Sequence, residues 1–253
     1  MSNPAPLMIP FKALRAPWQD EPDVDIHQND EHVVRGHPDY AEAKAGDGEA
    51  AVRLVDATIN PLIVEAMRQR HVLASPTLLP VVAEESEGAN AIPLALAQRL
   101  SVELGWEIDT GIIQSNVAAR TRKDGYYRLA IQPVFDGIVD VHLPFVLVDD
   151  FVGQGATLAN LRGHVMAIGG QVAGFTSLAG KPVSGRLALR SGTLADLRKV
   201  HGSDLENWWR QVFGFGFDEL TESEARYLIP RSDAGRVREE IAARIREQSD
   251  QVG

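Results

Sequence analysis

The sequence predicts an α/β protein: a mostly parallel central sheet flanked by helices, with an irregular N-terminal arm and a helical C-terminal appendage. Two observations carry this. Short continuous apolar runs, such as Phe145–Val148, have the character of strands buried on both faces. Between them lie segments with apolar residues at helical spacing, and a strand–loop–helix–strand order is the grammar of parallel sheets.

The elements follow in chain order. Prolines at 4, 6, 10, 17, 22 and 38 and an acidic run from Asp20 to Glu31 mark residues 1 to about 50 as poor in pattern. Asn60-Pro61 is a cap followed by a first-turn proline, which predicts a helix over 61–70. Thr77–Ala83 reads as a buried strand running into the polar loop Glu84-Glu85-Ser86-Glu87-Gly88. Ile92, Leu96, Leu100 and Leu104 set a helix that Gly105 stops. Ile108–Ile113 and Arg128–Val134 are strand candidates with a polar, cationic segment from Gln114 to Tyr127 between them, and Ile138–Val141 is another short apolar piece. Phe145–Val148 is a strand, Leu158–Ile168 a helix and Val172–Ala179 the next strand. Ser203-Asp-Leu-Glu206 and Thr221-Glu-Ser-Glu224 are capping boxes, each opening a helix. Val237, Ile241 and Ile245 give Asp233–Gln248 one apolar stripe. The division expected is an arm over 1–55, a core over 56–185 and an extension over 186–253.

Composition excludes several classes. The chain has 253 residues, ample for a large core, and no cysteine, so thiolate metal sites and cysteine nucleophiles are out. A net charge of −10 argues against a duplex nucleic-acid surface. No apolar run reaches the roughly 20 residues of a membrane span, and the first residues lack the pattern of a secretory signal. The expectation is a cytoplasmic protein with neither nucleic-acid nor membrane partners. The seven histidines show no metal-ligand spacing.

The most informative stretch is Phe145-Val-Leu-Val-Asp-Asp-Phe-Val-Gly-Gln-Gly-Ala-Thr-Leu158. In a parallel sheet, ligands sit beyond the carboxyl ends of strands, where Asp149 and Asp150 stand. The loop Phe151–Ala156 holds two glycines and runs into a helix N-terminus, an arrangement that attracts anions. Thr157 adds a hydroxyl. Carboxylates accept hydrogen bonds from sugar hydroxyls and bind Mg²⁺. A strand-end Asp-Asp pair can equally do no more than cap a turn.

This stretch resembles the phosphoribosyl pyrophosphate (PRPP) motif of the type I phosphoribosyltransferases. The resemblance covers about residues 72–182. It implies that Asp149 and Asp150 bind ribose hydroxyls and that Gly153, Gln154, Gly155, Ala156 and Thr157 cradle a phosphate, with Phe151 and Val152 beside them. It places a pyrophosphate loop at Glu84, Glu85, Ser86, Glu87 and Gly88. It places a mobile loop at Arg120, Thr121, Arg122 and Lys123, with Arg120 and Lys123 joining the two acids in catalysis. Gly153 departs from the family, which usually has Thr or Ser there, and the acids of the 84–87 loop sit where a pyrophosphate is expected.

The function implied is transfer of phosphoribose from Mg-PRPP to a nucleobase in nucleotide metabolism, with Mg²⁺ near Asp149 and Asp150 and a possible homodimer. The alternative is a PRPP- or nucleotide-binding regulatory protein on the same fold without turnover. Trp208, Trp209, Phe213, Phe215 and Phe217 read as the buried side of the extension, or alternatively as a cover that stacks on a base.

Overall fold

The computed structural model describes residues 12–85, 88–116 and 124–252. A strap from Lys12 leads into β1 (Asp25–Gln28), then α1 (Glu31–Arg35), α2 (Tyr40–Lys44), α3 (Gly48–Thr58) and α4 (Pro61–Arg70). β2 (Thr77–Pro80), the short hairpin β3 (Glu84–Glu85) and β4 (Gly88–Ala89), and α5 (Ile92–Leu104) follow. Next come β5 (Ile112–Gln114), α6 (Gly125–Ala130) and β6 (Phe135–Gly137). β7 (Pro144–Val152), α7 (Ala156–Ala167) and β8 (Gln171–Gly180) form the central βαβ unit. The remainder is α8 (Ser191–Phe213), α9 (Glu222–Leu228) and α10 (Ala234–Val252).

The main sheet has the order β1-β8-β7-β2 and all its pairings are parallel. The α/β architecture with a parallel sheet flanked by helices is therefore as the sequence predicts. Alternation along β7 divides its side chains between two layers. Val146 and Val148 pack with α3, α4 and α5, whereas Phe145 and Leu147 pack with Leu158, Leu161 and Val165 of α7. Burial on both faces is why this strand reads as an unbroken apolar run.

Three expectations are corrected. Residues 25–58 are not irregular: β1 pairs with β8, and Ala50, Ala51, Leu54 and Val55 of α3 enter the core. Prolines 17 and 22 precede this region and Pro38 falls between α1 and α2, so they punctuate rather than prevent structure. Residues 128–130 belong to helix α6, whose start is capped by Asp124 accepting from the Tyr127 amide at 2.7 Å. The expected strand at 108–113 reduces to a lone bridge at Ile108 and to β5, which pairs with β6 in a separate antiparallel ribbon.

The strap is held by buried charge. Arg162 of α7 donates to the carbonyls of Ala16 and Pro17 and to Glu21, and stacks on Trp18 at 4.7 Å. Arg15 is paired with Glu224 at 2.9 Å and bonded to the Glu219 carbonyl and Gln132. The strap crosses α7 at Gly163, where an added Cβ would lie 2.2 Å from the Leu14 carbonyl oxygen.

Gly163→Ala is expected to lift the strap and cost about 2 kcal/mol by overpacking, measured by urea unfolding. A second expectation concerns His27. Burial holds its pKa at about 4, below the ordinary 6.5. The native state therefore excludes a proton that the unfolded state binds, so stability present above pH 6.5 is lost as pH falls toward 4. His27→Gln is expected to flatten that part of the stability–pH curve.

Candidate active site

A pocket opens at the carboxyl end of β7. Its floor is Asp149 and Asp150. One wall is the loop Gly153-Gln154-Gly155 with Ala156 and Thr157 of α7. The others come from Glu31, Arg35, Tyr40 and Lys44, from Val81, Ala83 and Asn90, and from Gln114 and Arg128.

The two acids are not alike. Asp150 is buried and accepts three hydrogen bonds. Its Oδ2 accepts from the Lys44 ammonium and the Asn90 amide, both at 2.9 Å, and its Oδ1 from the Phe151 N–H at 2.8 Å. Burial opposes its ionisation. The charge and hydrogen bond of Lys44, the Asn90 amide and the neighbouring Asp149 carboxyl outweigh that and hold its pKa below the ordinary value. Asp149 is pushed well above the ordinary range, first by burial and then by the Asp150 charge. Its Oδ1 accepts from the Asp150 N–H at 2.9 Å, and its carboxyl hydrogen-bonds to that of Asp150. Burial and the Asp150 charge thus push Asp149 toward its neutral form, while Lys44 pairs with the Asp150 carboxylate. Adjacent acids at a buried strand end are tolerable because their affinities for protons are driven apart and the more acidic one is paired.

Phe151 carries the outer wall. The Arg35 guanidinium lies 4.2 Å over its ring and donates to the Tyr40 hydroxyl at 3.2 Å. Tyr40 meets the same ring edge-on at 6.0 Å. Val152 leaves the pocket's rear and joins the α7-side core.

The loop is shaped for close approach. Gly155 is the N-cap of α7 with φ +81, so it supplies no side chain to the first-turn amides. A Cβ there would also strike Leu187 at 2.4 Å. A Cβ at Gly153 would lie 3.3 Å from an Arg128 guanidinium nitrogen, so the loop passes close to that side chain. The Gln154 Oε1 is buried without a hydrogen-bond partner among the described residues.

Some expected site residues gather here and others do not. Residues 149–157, Val152 included, line one pocket. The backbone of Glu84, Glu85 and Gly88 forms the β3–β4 hairpin. Ser86, Glu87, Arg120, Thr121, Arg122 and Lys123 lie outside the described residues. For Mg²⁺ near the acids, the fit is poor. The Lys44 ammonium already occupies the cation's place on Asp150, and burial pushes Asp149 toward its neutral form. Lys44, Asn90, Arg35 and Tyr40 escaped sequence reading, since three of them sit in the segment taken as an arm. The only local signal for Asn90 is its position just ahead of a helix, where its Oδ1 accepts from the Ile92 N–H at 3.2 Å.

Comparison with known proteins gives a different relationship from the one the motif implied. The chain is similar to Protein TraN of Escherichia coli, 35% identical over 242 residues, 96% of this chain and 54% of TraN. An uncharacterized protein of Haemophilus influenzae is 36% identical over 154 residues, 60% of this chain and 34% of that protein. The chain spans about half the length of TraN and about a third of the Haemophilus protein. No family model matches it.

These findings overturn the phosphoribosyltransferase resemblance, and with it both the transfer of phosphoribose and the PRPP- or nucleotide-binding alternative. Nucleotide metabolism falls with them. The site agrees with the correction. Asp150 already accepts from Lys44, Asn90 and the Phe151 N–H, and Asp149 accepts from the Asp150 N–H. The strand–acid–acid–glycine order reflects a strand-end charge pair feeding a tight turn.

The unequal acids predict opposite mutant behaviour. Asp149 has a raised folded pKa, so its native state holds a proton that the unfolded state releases. Wild-type stability therefore falls as pH rises from the ordinary carboxylate range through that folded value. Asp149→Asn is expected to be at least as stable as wild type at pH 8, with the difference closing toward pH 4. Asp150→Asn removes the carboxylate that the Lys44 ammonium meets at 2.9 Å and is expected to cost about 2 kcal/mol, the scale of a charge-assisted hydrogen bond. Chemical denaturation across pH checks both.

Proposed function

We propose that the chain is a ligand-binding α/β unit whose β7–α7 pocket captures a small molecule through an oxyanion, and that the aligned half of Protein TraN holds the same kind of pocket. One observation carries the reading: the N-terminus of α7, capped by a glycine with no side chain, opens into a pocket walled by Arg35, Lys44 and Arg128. Backbone N–H groups at a helix start, oriented by the helix dipole, favour negative charge. The acids oppose this only in part: Asp149 is pushed toward its neutral form, Asp150 pairs with Lys44, and Glu31 pairs with Arg35 at 3.3 Å. An oxyanion against the loop leaves the rest of the ligand facing the Phe151–Tyr40–Arg35 wall. The net charge of −10 supports a small partner held in a local positive recess rather than a nucleic acid on a broad surface. Action in the cytoplasm is part of the same proposal.

The test is calorimetric titration with inorganic phosphate, sulfate and acetate, with and without Mg²⁺. Saturable binding of at least one anion is expected, independent of Mg²⁺. Arg128→Ala is expected to weaken it about tenfold, the scale of one lost charge-assisted hydrogen bond. Absence of saturable binding by all three anions would overturn the reading.

A further inference from the structure

The C-terminal helical unit meets the pocket loop through a hydrogen bond. The Thr221 hydroxyl donates to the Gln154 carbonyl oxygen at 2.5 Å. The same hydroxyl accepts from the Glu224 N–H at 3.0 Å as the N-cap of α9, and Glu224 reaches back to the Thr221 N–H at 2.8 Å. The cap thus fixes the direction in which the hydroxyl proton points. Around it the contact is rigid. Glu222 N–H donates to the Leu187 carbonyl at 3.0 Å, and Leu187 packs against Gly155. Glu224 holds Arg15, and Arg15 bonds Asn160 on α7. The loop and the helix that follows it are both clamped to the start of α9.

A trans peptide is planar, with its C=O and the next N–H on opposite sides. A hydroxyl gripping the Gln154 carbonyl therefore turns the Gly155 N–H the other way. Gln154 and Gly155 line the pocket; Thr221 and Leu187 do not. We propose that Thr221 is a positioning residue for this pocket: its hydroxyl locks the Gln154–Gly155 peptide so that the Gly155 N–H faces the anion. This rests on the oxyanion reading above. It gives the capping box a second role beyond starting α9, and it makes the C-terminal unit part of the site without touching the ligand.

The experiment compares wild type, Thr221→Val, Thr221→Ser and Leu228→Ala in the full chain. Valine keeps the shape and removes the hydroxyl, and serine restores it. Leu228 is buried in the same helical cluster and distant from the loop contacts, so its truncation lowers the melting temperature alone. Phosphate and sulfate affinity are measured by titration. The orientation of the Gly155 N–H is measured by residual dipolar coupling in the ligand-free protein. The expected result is a tenfold or greater loss of affinity and a changed Gly155 coupling in Thr221→Val. Thr221→Ser is expected to match wild type, and Leu228→Ala to melt lower with both readings unchanged. If wild type binds neither anion, the function reading fails and the coupling alone decides the positioning role. A wild-type Gly155 coupling in Thr221→Val overturns the inference, as does an equal loss of affinity in Leu228→Ala.

Discussion

The Lys44–Asp150 pair is the constraint on which the site depends. A carboxylate at the buried end of a central strand must be neutralised or it would not remain ionised. Its partner comes from α2, more than a hundred residues earlier, so the segment between β1 and α3 has to fold against the sheet for β7 to end as it does. Asn90 and the Phe151 amide complete the shell. Burial and the Asp150 charge then push Asp149 toward its neutral form. The result is a pocket floor rich in acids yet close to neutral, beside a helix start that favours anions.

The two ends of the chain are fixed by the same means. Arg15 and Arg162 are almost fully buried, and each reaches across well over a hundred residues, to Glu224 and Glu21 respectively. Such pairs add little net stability compared with apolar packing, but losing one partner strands a buried charge. They therefore act as register pins. The strap, α7 and α9 meet in one geometry, and the pocket loop lies between the latter two.

The parallel sheet, the helices at 61–70, 92–104 and 156–167, and the capping box at Thr221 were legible in the sequence, because each rests on local periodicity or cap chemistry. The α10 stripe of Val237, Ile241 and Ile245 was legible for the same reason, and those residues are buried. The fold of residues 25–58 was not. Its helices are short, and its strand is recognisable only when β8 is beside it. Residues 128–130 misled because Leu129, Ala130 and Ile131 are apolar in sequence order. Their burial comes from packing on the C-terminal helices rather than from a sheet.

The pocket divides along the same line. By itself the sequence determined that a strand ends in two acids, that a glycine turn follows and that a helix starts there, since these depend on neighbours in the chain. Only the tertiary structure decided what the acids do. Whether a carboxylate is a ligand acceptor or one half of an ion pair depends on whether an ammonium lies 2.9 Å away, and Lys44 is brought there by the fold. A motif records the order of groups along the chain. Charge state is set by distances through space, which motif order leaves free.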